Sequence, residues 1–235
     1  MDAMAMPGGG TMATSMPWLP SCGQTWIGAA ASFLGLWTVM MTAMMLPSLS
    51  LVLWRYRRSV GREGGFSSVL LTAPAGAGYL LIWTLLGAAV YLLGVAVMSA
   101  TMRYPALARA VPVAAGLIVL SAGVLQLTRW KAHHLACCRG PSGRGPLTTA
   151  RQLPTGPFAA LYEGLRLGLH CAQCCAGLTA VLLVSGIMDV PAMIAVTAVI
   201  TLERFAPAGE RVARMIGVIL LGAGSFLTLR ALSLP

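Results

Sequence analysis

The sequence predicts an all-α fold: a polytopic membrane helix bundle with six transmembrane helices and both termini outside. The chain is 57% hydrophobic and 9% charged, with a mean hydropathy of +0.80. Soluble domains, in contrast, are about one-quarter charged. Several apolar runs exceed the roughly 18 residues needed to cross a bilayer, and they are spread along the whole chain. A single removable signal peptide therefore does not account for them.

Basic or turn-forming segments separate the six apolar stretches. The expected helices run from Trp26 to Trp54, Val69 to Met98, Val111 to Thr128, Leu167 to Met188, the Asp189–Pro191 turn to Leu202, and Met215 to Leu229. An amphipathic lead-in, Phe158 to Arg166, precedes the fourth helix. Asp189 is suited to the N-cap of the fifth helix because Val190 and Pro191 follow it.

Orientation and domain organisation follow from the connecting segments. Most Lys and Arg residues lie in the first, third and fifth connections, which the positive-inside rule places in the cytoplasm. Residues 1–25 are then a Met-rich extracytoplasmic tail, and residues 26–235 form a single transmembrane domain. The Gly- and Pro-rich segment from Arg139 to Pro157 is a loop, because too little chain remains for a separate soluble domain.

Two classes of function are disfavoured. The net charge of +10 is explained by basic residues that flank membrane helices. The expected partner is therefore a lipid bilayer, and binding to nucleic acid is not expected. The sequence contains no glycine-rich phosphate loop, so this chain is not expected to be an ATP-driven pump.

Three stretches share one spacing: two neighbouring residues, a gap of two, then two more. Their side chains are ligands for soft metals: Met40, Met41, Met44 and Met45; His133, His134, Cys137 and Cys138; His170, Cys171, Cys174 and Cys175. On an α-helix this spacing places four side chains within an arc of about 140°. Thiolate, thioether and imidazole favour Cu(I) or Zn(II) over hard cations. The pattern predicts a soft-metal site, with copper as Cu(I) ahead of zinc.

Each cluster also has a structural interpretation. Cysteines in the fourth predicted helix can fill a tight interface as small apolar groups, and methionines commonly fill gaps between helices. If the third helix continues past Trp130, His133 to Cys138 form a second facing set; if the helix ends there, they are a chelating tail at the cytoplasmic surface. Thioethers need no deprotonation and so suit a metal conduit inside lipid.

Glu203 is an unusual acid at the inner end of the fifth predicted helix. It is interpreted as a carboxylate ligand, as an acceptor that orients a histidine, or as the neighbour of Arg204. With both termini outside, Glu203 and all three clusters lie toward the cytoplasmic side. A single site could therefore draw on all of them.

Three segments of the chain resemble an uncharacterised bacterial family of integral membrane proteins with a predicted metal-binding role. The matching segments are Trp37 to Ser48, Ala122 to Arg139, and Glu163 to Glu203. The resemblance implies metal binding at Cys171, Cys174, Cys175, Met44, Met45 and Glu203. The chain departs from the family pattern at Gln173, where the family has a glycine before the Cys pair.

Together these observations predict a multi-pass protein of the bacterial inner membrane that binds Cu(I) for transport or delivery. His170 and the three nearby cysteines would be ligands, the four methionines entry ligands, and Cys137 with Cys138 the receiving end. A metallochaperone or a partner membrane subunit would exchange the ion. Two alternatives remain open: a membrane oxidoreductase, either copper-dependent or a dithiol/disulfide relay, and a mercury uptake protein. No catalytic residue is predicted.

Overall fold

A computed structural model describes the backbone of residues 25–60, 65–139, 157–187, 189–206 and 208–233, and the side chains of these ranges except 47–60, 65–72 and 136–139. The described chain forms seven α-helices: α1 Trp26–Val60, α2 Gly65–Arg103, α3 Pro105–Leu127, α4 Arg129–Arg139, α5 Pro157–Ser185, α6 Val190–Phe205 and α7 Gly209–Ser233. The predicted all-helical fold is confirmed. The Met-rich tail, except residue 25, and the loop at residues 140–156 lie outside the described residues.

Five of the described helices are long and apolar enough to cross a membrane. These segments are Trp26–Leu46, Ala73–Arg103, Pro105–Leu127, Pro157–Ser185 and Gly209–Ser233. The remaining predicted span corresponds to α6, which has 16 residues. At 1.5 Å per residue it rises about 24 Å, less than the roughly 30 Å of a hydrocarbon core. The predicted count of six spans is therefore not confirmed.

The chain changes direction at Thr128, between α3 and α4. Thr128 has extended backbone angles, φ −73° and ψ 150°, so α3 ends there. The chain then continues as a second helix, α4, and not as an irregular tail. Its hydroxyl accepts a hydrogen bond from the backbone N–H of Lys131 at 3.4 Å. This places Thr128 at the N-cap of α4. The break turns Lys131 and the histidines that follow it toward α5.

Parallel helices α2 and α5 pack closely through glycines. A side chain at Gly164 would meet the backbone of Ala75, and one at Gly168 would lie 3.0 Å from the Tyr79 carbonyl oxygen. Small residues at such positions let two helix backbones approach. The close approach brings Tyr79 of α2 beside the cysteines of α5.

Glycine 164 allows a direct test of this packing. Gly164→Ala is expected to destabilise the fold by about 1–3 kcal/mol, because the added methyl group must push α2 away from α5. Gly35→Ala is the matched control, since a side chain there has no described atom within 4 Å. The control should leave stability unchanged or slightly raised through better helix propensity. Thermal unfolding midpoints in detergent measure both, and equal midpoints would contradict the close packing.

Two antiparallel pairs complete the bundle. Trp37 of α1 donates from Nε1 to the Trp83 carbonyl oxygen of α2 at 2.9 Å. Phe33, one turn before Trp37, packs against Tyr91 of α2 with the two rings tilted and their centroids 5.3 Å apart. Gly116 of α3 faces Thr228 of α7, and Leu120 of α3 faces Gly224 of α7. In each pair the residue number rises on one helix while it falls on the other. The aromatic residues of the α1–α2 pair belong to the same buried core as the four methionines of α1.

The connection between α5 and α6 is a tight turn. Gly186 has φ +111°, a left-handed conformation that favours glycine. Asp189 is the N-cap of α6, as predicted, with φ −78° and ψ 99°. Its carbonyl oxygen accepts the Met193 N–H at 2.9 Å, while its side chain makes no capping hydrogen bond.

Candidate metal site

Two thiols of α5 share one cationic partner. Cys171 and Cys175 lie one turn apart and are 4% and 2% exposed. The Nη2 atom of Arg204, near the end of α6, donates to the Cys171 Sγ at 3.0 Å and to the Cys175 Sγ at 3.2 Å. Residues four apart face the same side of a helix, so one guanidinium can reach both sulfurs.

A thioether from another helix joins these thiols. The Met45 Sδ of α1 lies 3.9 Å from the Cys171 Sγ, and the Tyr79 hydroxyl of α2 lies 3.0 Å from the same sulfur. Two sulfurs that each sit about 2.3 Å from one ion are roughly 3.8–4.0 Å apart at tetrahedral or trigonal angles. The Met45–Cys171 separation therefore suits a shared soft ion.

All four methionines of the predicted cluster are buried in the same core as the thiols. Exposure is 6% for Met40, 1% for Met41, 5% for Met44 and 1% for Met45. This apolar cluster also contains Cys171, Cys174 and Cys175. Met41 precedes Met45 by one helical turn, so the thioethers extend from the thiols along α1.

A buried ion pair lies directly beside the thiols. The Lys131 Nζ is 2.9 Å from the Glu203 Oε2, with side chains 5% and 2% exposed. The same Nζ donates to the Cys174 carbonyl oxygen at 2.6 Å. Gln126 donates from Nε2 to the Glu203 Oε1 at 2.7 Å. These contacts tie α3, α4, α5 and α6 together around the cysteine-bearing turn.

Three imidazoles gather where α4 packs against α5. The ring centroids of His133 and His134 are 5.9 Å apart, and those of His134 and His170 are 6.0 Å apart. Trp130 covers His134 at 4.4 Å between centroids. Burial lowers the pKa of His134 from its usual value, and the nearby His170 and His133 lower it further. The lowered pKa favours the neutral imidazole of His134, the form that binds metals.

Comparison with known proteins identifies the group to which the chain belongs. A family model described as PpoB2, copper chaperone, matches residues 34–227. The chain belongs to this copper chaperone family. No curated protein and no solved structure matches the chain significantly. The matched range of this PpoB2-family protein includes all the predicted donor residues, from Met40 to Glu203.

The structure brings the predicted donor residues together in two groups. Met45, Cys171 and Cys175 form the sulfur site, and His133, His134 and His170 form the imidazole cluster. Within the described side chains, no group of three or more His, Cys, Asp and Glu residues converges closely enough to hold a metal ion. Met45 adds a thioether from α1, 3.9 Å from the Cys171 Sγ. The side chains of Cys137 and Cys138 lie outside the described residues.

Sequence reasoning missed three residues that lie at the sulfur site. Arg204 contacts both thiols, Tyr79 contacts Cys171, and Lys131 pairs with Glu203. A buried acid in an apolar helix needs a cationic partner, which was a signal for Lys131 or Arg204. Nothing in the sequence distinguished between the two. The ligand, orienting and neighbour roles predicted for Glu203 stay predictions, although both its oxygens accept hydrogen bonds.

Proposed function

We propose that this protein is a membrane-embedded copper chaperone that holds Cu(I) between Met45, Cys171 and Cys175 and passes it to a partner. One observation carries the proposal: the Met45 thioether of α1 contacts the Cys171 thiol, which shares the Arg204 guanidinium with the Cys175 thiol, in the buried core. Thiolates and thioethers are the donors that Cu(I) prefers. Family membership supports copper as the cargo.

The chemistry of loading follows from the donor types. Cu(I) binding to Cys171 and Cys175 releases the two thiol protons and leaves two thiolates, whereas Met45 binds without losing a proton. The Arg204 guanidinium compensates the negative charge of the thiolates. Burial keeps water from competing for the ion. A site with three donors leaves room for a partner's thiol to attack and accept the ion.

The remaining donors are proposed as stages of transfer. Met40, Met41 and Met44 extend the thioether path along α1, while the imidazole cluster and Cys137 with Cys138 stand toward the end of α4. Cys174 and Glu203, which lie next to Cys171 and Cys175, are the last two residues proposed to contact copper during transfer. A metallochaperone or a partner membrane subunit would exchange copper at the α4 side.

The proposed topology has six crossings of a bacterial inner membrane, with both termini outside and residues 26–235 as one domain. Helix packing supports the crossing by α6. α7 runs antiparallel to α3, since Gly116 lies beside Thr228 and Leu120 beside Gly224. α5 also runs antiparallel to α3 and the start of α4, since Ala122 lies beside Gly177 and Lys131 beside Cys174. Because α5 and α7 are thus parallel, α6 must return across the bundle between them. The basic connections then face the cytoplasm.

A methionine substitution tests the proposed function. Met45→Leu keeps the volume of the side chain and removes the thioether, so Cu(I) affinity should fall by roughly tenfold, about 1.4 kcal/mol, with the fold intact. Met215→Leu is the matched control, because Met215 is 66% exposed on α7. Purified protein is titrated without oxygen against the Cu(I) chelator bicinchoninate. Equal affinity in the two variants would exclude Met45 as a ligand, and no Cu(I) binding by the wild type would refute the function.

A further inference from the structure

Arg204 places a positive charge at the centre of the proposed sulfur site. Its Nη2 atom lies 3.0 Å from the Cys171 Sγ and 3.2 Å from the Cys175 Sγ. Both sulfurs are almost fully buried. Charges interact more strongly in such surroundings than in water, because the effective dielectric constant is lower. An ion bound between these sulfurs must therefore sit close to a fixed cation.

We infer that Arg204 makes the site selective for ion charge: it favours monovalent soft ions such as Cu(I) over divalent ones such as Zn(II). This inference rests on the proposed sulfur site and assigns Arg204 as the residue that sets specificity. It accounts for how one set of thiols can discriminate between two ions that both bind sulfur well.

The charge balance gives the physical reason. Two thiols lose two protons on metal binding and contribute two negative charges. With Cu(I) the complex carries one net negative charge, which the Arg204 guanidinium neutralises. With Zn(II) the complex is already neutral, so it offers the guanidinium no net negative charge, and the guanidinium repels an ion of twice the charge. The fixed positive charge therefore favours the complex of the monovalent ion over that of the divalent ion.

The other buried cation at this site does not alter the comparison. Lys131 is paired with Glu203 at 2.9 Å, so together they add no net charge. The inference concerns the difference between two ions at one position. The repulsion between a bound ion and a nearby positive charge grows with the charge of the ion. Removing the guanidinium therefore improves the binding of a divalent ion more than that of a monovalent ion, whatever else the guanidinium contacts.

Three variants test the inference. Arg204→Gln removes the charge and retains a hydrogen-bond donor, and Arg204→Lys retains the charge. Arg214→Gln is a control on α7, where Arg214 is 67% exposed and pairs with Glu210 at 3.6 Å. Each purified protein is titrated without oxygen with Cu(I) alone against bicinchoninate, and separately with Zn(II) alone against a zinc-binding dye.

The quantity measured is the ratio of Cu(I) to Zn(II) affinity. It should fall by at least about fivefold in Arg204→Gln, and by less than that in Arg204→Lys and in the control. A smaller fall in Arg204→Gln, or an equal fall in Arg204→Lys, would overturn the inference. A merely structural arginine would lower both affinities and leave the ratio unchanged. Wild-type protein that binds no Cu(I) would instead refute the proposed function, so the two failures are distinguishable.

The wild-type protein supplies a second measurement that holds even if Arg204→Gln does not fold. Dithiothreitol has two thiols and no neighbouring cation. Its own Cu(I) to Zn(II) affinity ratio is measured in the same two titrations. Because Met45 alone is expected to contribute about tenfold toward Cu(I), the ratio of the wild-type protein should exceed that of dithiothreitol by at least about fiftyfold. A lower excess would overturn the inference.

Discussion

The variant Cys171→Ser, Cys175→Ser should bind Cu(I) at least about 100-fold more weakly than the wild-type protein. Serine is close to cysteine in size, so the buried face of α5 should keep its packing. Its hydroxyl is a hard donor that does not ionise near neutral pH, whereas Cu(I) binds thiolates. Only the Met45 thioether would remain of the three sulfurs, and one neutral donor cannot hold the ion tightly.

The measurement is a titration with Cu(I) against bicinchoninate under a reducing, oxygen-free atmosphere, together with elemental analysis of the protein as isolated. Cys22→Ser is the control, since it removes a thiol outside the described residues and leaves the sulfur site intact. The control should bind as the wild type does. If the double variant bound Cu(I) with wild-type affinity, copper would bind at another place in the protein, and the imidazole cluster would be the next candidate.

The part of the sulfur site that lies within one helix could be predicted from the sequence, because it depends only on helical periodicity. Cys171 and Cys175 are four residues apart, so any helix places them on one face. Which sulfur meets them from outside α5 depends on how α1, α2 and α5 pack. That packing depends on the glycines at 164 and 168, which bring α2 and α5 together. Met45 was predicted as an entry ligand, and its contact with Cys171 emerged only from the fold.

The break at Thr128 explains a second limit of the sequence analysis. Arg129 and Lys131 were counted with the basic residues that flank a membrane helix. A positive-inside count sums charges and takes no account of which side chain folds back into the protein. The turn at Thr128 directs Lys131 inward to Glu203, which is distant in sequence. The count of six spans relied on apolar runs and did not compare each run with the length of a crossing, and α6 has only 16 residues.

Removing the cation of the buried pair should give the largest loss of stability. Lys131→Met keeps an unbranched side chain of similar length but leaves the carboxylate of Glu203, 2% exposed, without its counter-ion. Breaking a buried pair from one side costs about 3–5 kcal/mol, because an uncompensated charge stays behind. The variant also loses the hydrogen bond to the Cys174 carbonyl oxygen. Thermal unfolding in detergent should show a clearly lower midpoint.

The double variant Lys131→Met, Glu203→Gln separates charge from packing. It removes both charges together, so most of the lost stability should return, as is common when a buried pair is replaced by neutral groups of similar volume. The new amide can still accept the hydrogen bond from Gln126. Arg214→Gln, which breaks the exposed pair with Glu210, should cost no more than about 1 kcal/mol. A Lys131→Met loss no larger than this would show that the pair does not hold the helices together.

The same variants connect stability to copper binding. Lys131 holds the backbone at Cys174, between the two proposed thiol ligands, so its loss frees the turn that sets their separation. Lys131→Met should weaken Cu(I) binding, and the double variant should recover stability without fully recovering affinity, because the bond to the Cys174 carbonyl oxygen stays broken. If affinity instead returned together with stability, the ion pair would act on copper only through the fold.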